Sequence, residues 1–116
     1  MADIILPWPP ASLSGHAKGH WRGKAAVTAK HREWAFNAAR DAGFIAGALE
    51  FQGTGDIRII ATFYPPSRRG DRVNFPNRMK PYWDGIADAL KVNDSRFLPS
   101  FVFGEPVKGG QVVVSL

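Results

Sequence analysis

Residues 57–64 place the tightest limit on what this chain can become. Ile57, Ile59, Ala61 and Phe63 alternate there with Arg58, Ile60, Thr62 and Tyr64. Neighbouring side chains on a strand point to opposite faces, so this period of two predicts a strand with one strongly buried face. Pro65 and Pro66 end it, because proline cannot donate to a ladder. Such a strand needs other elements to cover it. With 116 residues there is material for one hydrophobic core, so residues 1–116 are expected to form a single domain. A domain of this size buries about two thirds of its unfolded surface, and pairing with a second copy would add to a modest stability.

The rest of the chain supplies the other elements. Ile4 to Trp8 reads as a short strand stopped by Pro9-Pro10, and Ala11 to Lys24 as a long exposed basic loop without period. Thr28 to Ala42 reads as a helix, with Val27, Trp34, Phe36, Ala38 and Ala39 as imperfectly periodic apolar positions and Gly43 as its stop. Residues 47–55 form a turn-rich connection, and Ser67 to Asn77 a charged loop. A second helix follows, capped by Asn77 or Lys80 with Pro81 in its first turn, and buried along Met79, Trp83, Ile86 and Leu90. Lys80, Asp84 and Asp88 recur every four residues and share a separate face. Phe97 to Phe103 and Gln111 to Leu116 are two further strands. The order β-α-β-α-β-β implies an α+β domain with a mixed sheet.

Hydrophobic residues make up 45% of the chain, which excludes a disordered segment. Absence of cysteine excludes disulfide frameworks, thiolate metal sites and cysteine nucleophiles. The N-terminal residues do not read as a signal peptide, and no apolar run reaches the roughly 18 residues a membrane span needs, so a cytoplasmic protein without a membrane partner is expected. Lys and Arg number 15 against 10 acids, for a net charge of +5 and a pI near 10.0. That balance favours a polyanionic partner, since each neutralised phosphate releases condensed counterions.

Asp71, Asp84 and Asp94 lie at or near element ends. Hydrolysing a phosphodiester at neutral pH needs a strong nucleophile and neutralisation of transition-state charge. Mg²⁺ or Mn²⁺ provides both, and such hard ions take carboxylate oxygens plus waters. Lys80 can supply a further positive charge. Each Asp also has an ordinary role open to it: Asp71 in an Asx turn, Asp84 paired with Lys80, Asp94 closing a turn with Ser95.

The run Arg68-Arg69-Gly70-Asp71-Arg72-Val73-Asn74, then Lys80 with Asp84 one turn on, then Asn93-Asp94, resembles the core pattern of the RusA family of Holliday-junction resolvases. Leu6-Pro7-Trp8-Pro9-Pro10 resembles that family's N-terminal strand, and Lys108-Gly109-Gly110 precedes a last strand as it does there. The resemblance implies a RusA-like fold and a homodimeric, Mg²⁺- or Mn²⁺-dependent endonuclease that nicks opposed strands of a four-way DNA junction. It implies Asp71 and Asp94 as metal ligands, with Asn74 or Asp84 as the neighbouring group that completes the shell, and Lys80 stabilising the scissile phosphate or leaving group. Two positions depart from the pattern. Val73 stands where the family has its second motif Asp, and Asn93 replaces the first Asp of the later pair. A branched-DNA-binding protein with weakened catalysis is therefore the competing reading.

Basic residues cluster in two places. His16, Lys18, His20, Trp21, Arg22 and Lys24 crowd the first loop, where Lys18, Arg22 and Lys24 are expected to grip phosphates and Trp21 to stack on an unpaired base. Arg68, Arg69 and Arg72 surround Asp71, either balancing its charge or holding DNA backbone together with Lys80. Trp34 and Trp83 read as core residues, and Phe97, Phe101 and Phe103 as sheet or dimer-interface residues.

Overall fold

The computed structural model describes residues 3–13, 21–48 and 51–116, with residues 21 and 22 described as backbone only. Its elements are β1 (Asp3–Pro7), α1 (Trp21–Asp41), β2 (Ile57–Tyr64), α2 (Lys80–Leu90), β3 (Phe97–Phe103) and β4 (Gln111–Ser115), with short 3-10 turns between them. The strands form one mixed sheet in the order β1-β4-β2-β3. β4 runs antiparallel to both β1 and β2, whereas β2 and β3 are parallel and joined through α2. This is the α+β order that the alternation and helical patterning imply. No helix among the described residues is long and apolar enough to cross a membrane.

One sheet face carries the core. Ile4 and Leu6 of β1, Ile59, Ala61 and Phe63 of β2, and Val112 and Val114 of β4 are all buried against helical residues. From α2 come Tyr82, Ile86, Ala89 and Leu90, with Met79 just before it, and from α1 Ala35 and Ala39. The opposite face stays open, as antiparallel sheets permit. On it Ile60, Leu98 and Val102 remain exposed.

α1 corrects the sequence reading. It begins at Trp21 rather than Thr28, so residues 21–24 belong to a helix and not to a basic loop. Lys24, Ala25 and Ala26 are good helix formers, and Gly23 only weakens that signal. Its buried face is His31, Ala35 and Ala39, a period of four made of mostly small residues. Trp34 is 38% exposed instead of buried in the core; Lys30 lies over its ring at 4.9 Å and His31 meets it edge-on. Gly43, at φ 94°, stops the helix as expected. Phe44 N donates to Ala39 O and Gly43 N to Arg40 O, the paired bonds of a Schellman cap.

The small face of α1 lets α2 come close. A Cβ built on Gly85 of α2 would lie 2.2 Å from Arg32 O and 2.8 Å from Ala35 Cβ. Tyr82, which the apolar stripe did not include, is fully buried beside it, while Trp83 is only half-buried against Phe97 and Phe101. The Tyr82 hydroxyl donates to Pro7 O at 2.6 Å and accepts from His31 Nδ1 at 2.8 Å, tying α2 to β1 and α1. Met79 caps α2, without a side-chain bond, in place of Asn77 or Lys80. The segment Arg72–Arg78, read as loop, is a 3-10 helix pinned by buried Phe75, and β1 ends at Pro7, leaving Trp8 to pack edge-on against Phe75 at 4.8 Å.

Candidate functional site

Two short pieces of chain, the start of α2 and the turn that follows it, meet along one side of α2. Lys80 opens the helix and Asp84 follows one turn later, so both project from one face. At the far end Lys91 takes a left-handed conformation, φ 56° and ψ 46°, and reverses the chain. Lys91 N donates to Asp88 O and Val92 N to Ala87 O, a Schellman cap with lysine in the usual glycine position. That turn carries Asn93 and Asp94 back along the helix. Asn93 Oδ1 accepts from Ser95 N at 2.9 Å and fixes a 3-10 turn over Asp94–Arg96.

The Lys80 ammonium consequently sits between two carboxylates that are distant in sequence. Its Nζ is 3.0 Å from Asp84 Oδ1 and donates to Asp94 Oδ2. The hydrogen bond from Lys80, ahead of all other causes, holds the Asp94 carboxyl below the usual carboxylate range. Reciprocally, Asp94 and then Asp84 raise the Lys80 pKa, so its charge persists well above neutral pH. Asp84 and Asp94 are each largely covered, with side chains 24% and 29% exposed. They line a polar recess of about 190 Å³ together with Asp88, Asn93, Val92, Ala87 and Arg32.

Asp71 is not brought into this recess. It caps the following 3-10 turn, its carboxylate accepting from Val73 N and Asn74 Nδ2, both at 3.2 Å. That is the Asx turn open to it from sequence. Val73, where the resembling pattern has an acid, is 76% exposed. Among the described residues no three His, Asp or Glu side chains are grouped as a ready-made metal shell. Asp84 and Asp94 thus meet at Lys80, and Asp71 stays in its own turn.

The basic residues fall into different places. Arg68 pairs with Glu105 at 2.9 Å on an exposed loop, and Arg69 and Arg72 are exposed near Asp71. Arg78 folds over the Trp8 and Phe75 rings and donates to Pro9 O, and burial lowers its pKa. Arg96 clamps the 51–55 connection by donating to Phe51 O and Gly55 O, both at 2.8 Å. Lys24 lies in the first turns of α1, half-buried. Lys18, His16 and His20 lie outside the described residues, as do the side chains of Arg22 and Trp21.

Two charged residues of the recess had no role in the sequence reading. Asp88 shared a helix face with Lys80 and Asp84, but nothing in that spacing gave it a task. Arg32 sits 56 residues earlier on α1, and only the close packing at Gly85 brings it across to Asp88.

An α+β domain with one covered sheet face and a Lys–Asp–Asp cluster at the end of its second helix is the class defined by this geometry. No family model matches the chain. A protein of Xylella fastidiosa strain Temecula1, described only as an uncharacterized protein, is 39% identical over 118 residues, spanning 100% of this chain and 76% of the relative. The chain belongs to the same family as that protein.

Proposed function

We propose that this chain is a structure-selective endonuclease of the RusA type, which cuts branched DNA by paired nicks as a homodimer and uses Mg²⁺ or Mn²⁺. The observation that carries the reading is the Lys80 ammonium held between Asp84 and Asp94, two carboxylates that line a polar recess. Such an arrangement keeps a positive charge and paired hard oxygens on the surface of a basic protein, ready for a phosphodiester.

The donor set suits a hard divalent ion in kind. Asp84 and Asp94 offer carboxylate oxygens already gathered around a cation, and Asp88 and Asn93 line the same recess. Asp84 and Asp94 would hold the ion, with waters completing a shell that hard ions readily leave part-hydrated. When bound, the ion supplies charge neutralisation at the phosphate and acidifies water for attack. Lys80 contributes a permanent charge. Its raised pKa makes it a poor proton donor and a dependable electrostatic partner for the phosphate or leaving oxygen.

The homodimer draws support from β3. As an edge strand it exposes Leu98 and Val102 on the open face and the rims of Phe101 and Phe103 on the other, an apolar edge that monomers usually avoid. A two-fold pair would present two equivalent recesses to a nearly two-fold junction.

A second reading, a branched-DNA-binding protein with weakened catalysis, is favoured by Val73 and by the engagement of Asp71 in its own turn. Purified protein incubated with synthetic four-way junctions and Mn²⁺ separates the two. Paired nicks support the nuclease. Salt-sensitive binding without nicks, with cutting gained in Val73→Asp, supports the weakened site. Junctions left intact by both proteins would dismiss the enzyme reading.

A further inference from the structure

Arg32 and Asp88 form a second charged pair on the wall of the recess. Arg32 Nε donates to Asp88 Oδ2 at 2.7 Å and Nη2 to Oδ1 at 3.0 Å, a two-pronged contact between α1 and α2. Both side chains are about half exposed, at 50% and 44%, a setting in which such a pair adds little to stability. The contact does orient the guanidinium, because a planar fork bound at two points has little freedom left. Its Nη1 has no hydrogen-bond partner among the described residues.

The charge pattern gives that orientation a use. Asp84, Asp88 and Asp94 line the recess, and Lys80 is already committed to two of them. Carboxylates outnumber cations on this wall, so a phosphodiester is repelled except where a cation faces it. Arg32 is the one cation lining the recess among the described residues, Lys80 meeting it through Asp84 and Asp94. Guanidinium matches the paired non-bridging oxygens of phosphate, which a lysine can meet only as a point charge.

We propose that Arg32 is a phosphodiester-binding residue of the recess, and that Asp88 is the positioning residue that aims it. A nucleic-acid strand then crosses the seam between α1 and α2, one phosphate resting on Arg32 and the neighbouring one reaching Lys80, Asp84 and Asp94. This assignment rests on the nuclease reading of the site, and it makes α1 part of the substrate path.

The test is the salt dependence with which the full chain binds a fluorescent four-way junction without added divalent ion, followed by nicking at saturating junction with Mn²⁺. One lost phosphate contact flattens the slope of log Kobs against log salt by about 0.9. Arg32→Gln is expected to show that flattening, and Arg32→Lys to keep the wild-type slope. Both Arg32→Lys and Asp88→Asn are expected to lose about tenfold or more in nicking rate at saturation, because the charge remains but its aim is lost. A merely structural bridge would shift the unfolding midpoint and leave slope and saturated rate unchanged. An unaltered slope in Arg32→Gln, with wild-type protein binding and cutting, overturns the inference and leaves the nuclease reading standing. Wild-type protein that does not bind junctions overturns both.

Discussion

Lys91 shows how one residue both costs stability and builds the site. Its left-handed backbone ends α2 and returns Asn93 and Asp94 to the Lys80 face. A non-glycine residue in that conformation carries a penalty of about 1–2 kcal/mol, which glycine avoids. Lys91→Gly is therefore expected to raise stability by about 1 kcal/mol in denaturant unfolding, part of the gain being lost to the freer unfolded chain. A lower midpoint would mean that the lysine side chain contributes more than its backbone costs. Residue identity also explains what sequence could and could not tell about the acids. Asp94 and Asp84 reach Lys80 because α2 and its cap set their spacing locally. The fate of Asp71 hangs on the path of the 71–78 segment, where buried Phe75 and the Asx turn decide the direction of the carboxylate.

The seam between α1 and α2 governs the next scale. Gly85 lies under Arg32 O at a distance no Cβ tolerates, so the helices approach as closely as their backbones allow. Gly85→Ala is expected to destabilise the protein by about 1–3 kcal/mol, the usual cost of overpacking, despite the higher helix propensity of alanine. A mutant as stable as wild type would show that the seam can open at little cost. Within the same seam, burial first and Lys30 second lower the His31 pKa, so the ring stays neutral while its Nδ1 donates to Tyr82. A histidine whose folded pKa lies below its unfolded value contributes stability that is full above about pH 6.5 and is lost as pH falls through the folded value. The unfolding midpoint should fall over that interval, and His31→Gln should flatten the fall. An equal slope in the mutant would place the sensitivity elsewhere. Of this seam the sequence showed Ala39 on α1 and Met79, Ile86 and Leu90 on α2, but not His31, Ala35, Tyr82 or the contact at Gly85. The face of His31, Ala35 and Ala39 is small and mildly polar, so it gives a weak apolar signal, while Trp34 gives a strong one and points outward. β2, with its clean alternation and paired prolines, was legible to the residue.

At the scale of the whole molecule the sheet is covered on one side, and β3 is left as an apolar edge. Strand order could not be read from the chain, because β4 inserts between β1 and β2 through pairings that no local pattern encodes. The consequence is specific. β3 sits at the rim with Leu98 and Val102 on the open face, beside Ile60 of β2. Val102→Lys is expected to turn the proposed dimer into a monomer in sedimentation, with little change in far-ultraviolet circular dichroism. A wild-type chain that sediments as monomer at micromolar concentration would remove the two-fold arrangement from the account.

Lys80, Asp84 and Asp94 are proposed to act together on a phosphodiester. Single-turnover cleavage of a synthetic four-way junction by wild type, Asp94→Asn and Lys80→Met, each with Mn²⁺, tests that most directly. Wild type should introduce paired nicks across the junction, and each variant should lose about 100-fold or more in rate while still binding it, the scale typical of a lost electrostatic group at a reacting phosphate. Variants that cut as fast as wild type would contradict the assignment of the site, wherever the nuclease activity then lay.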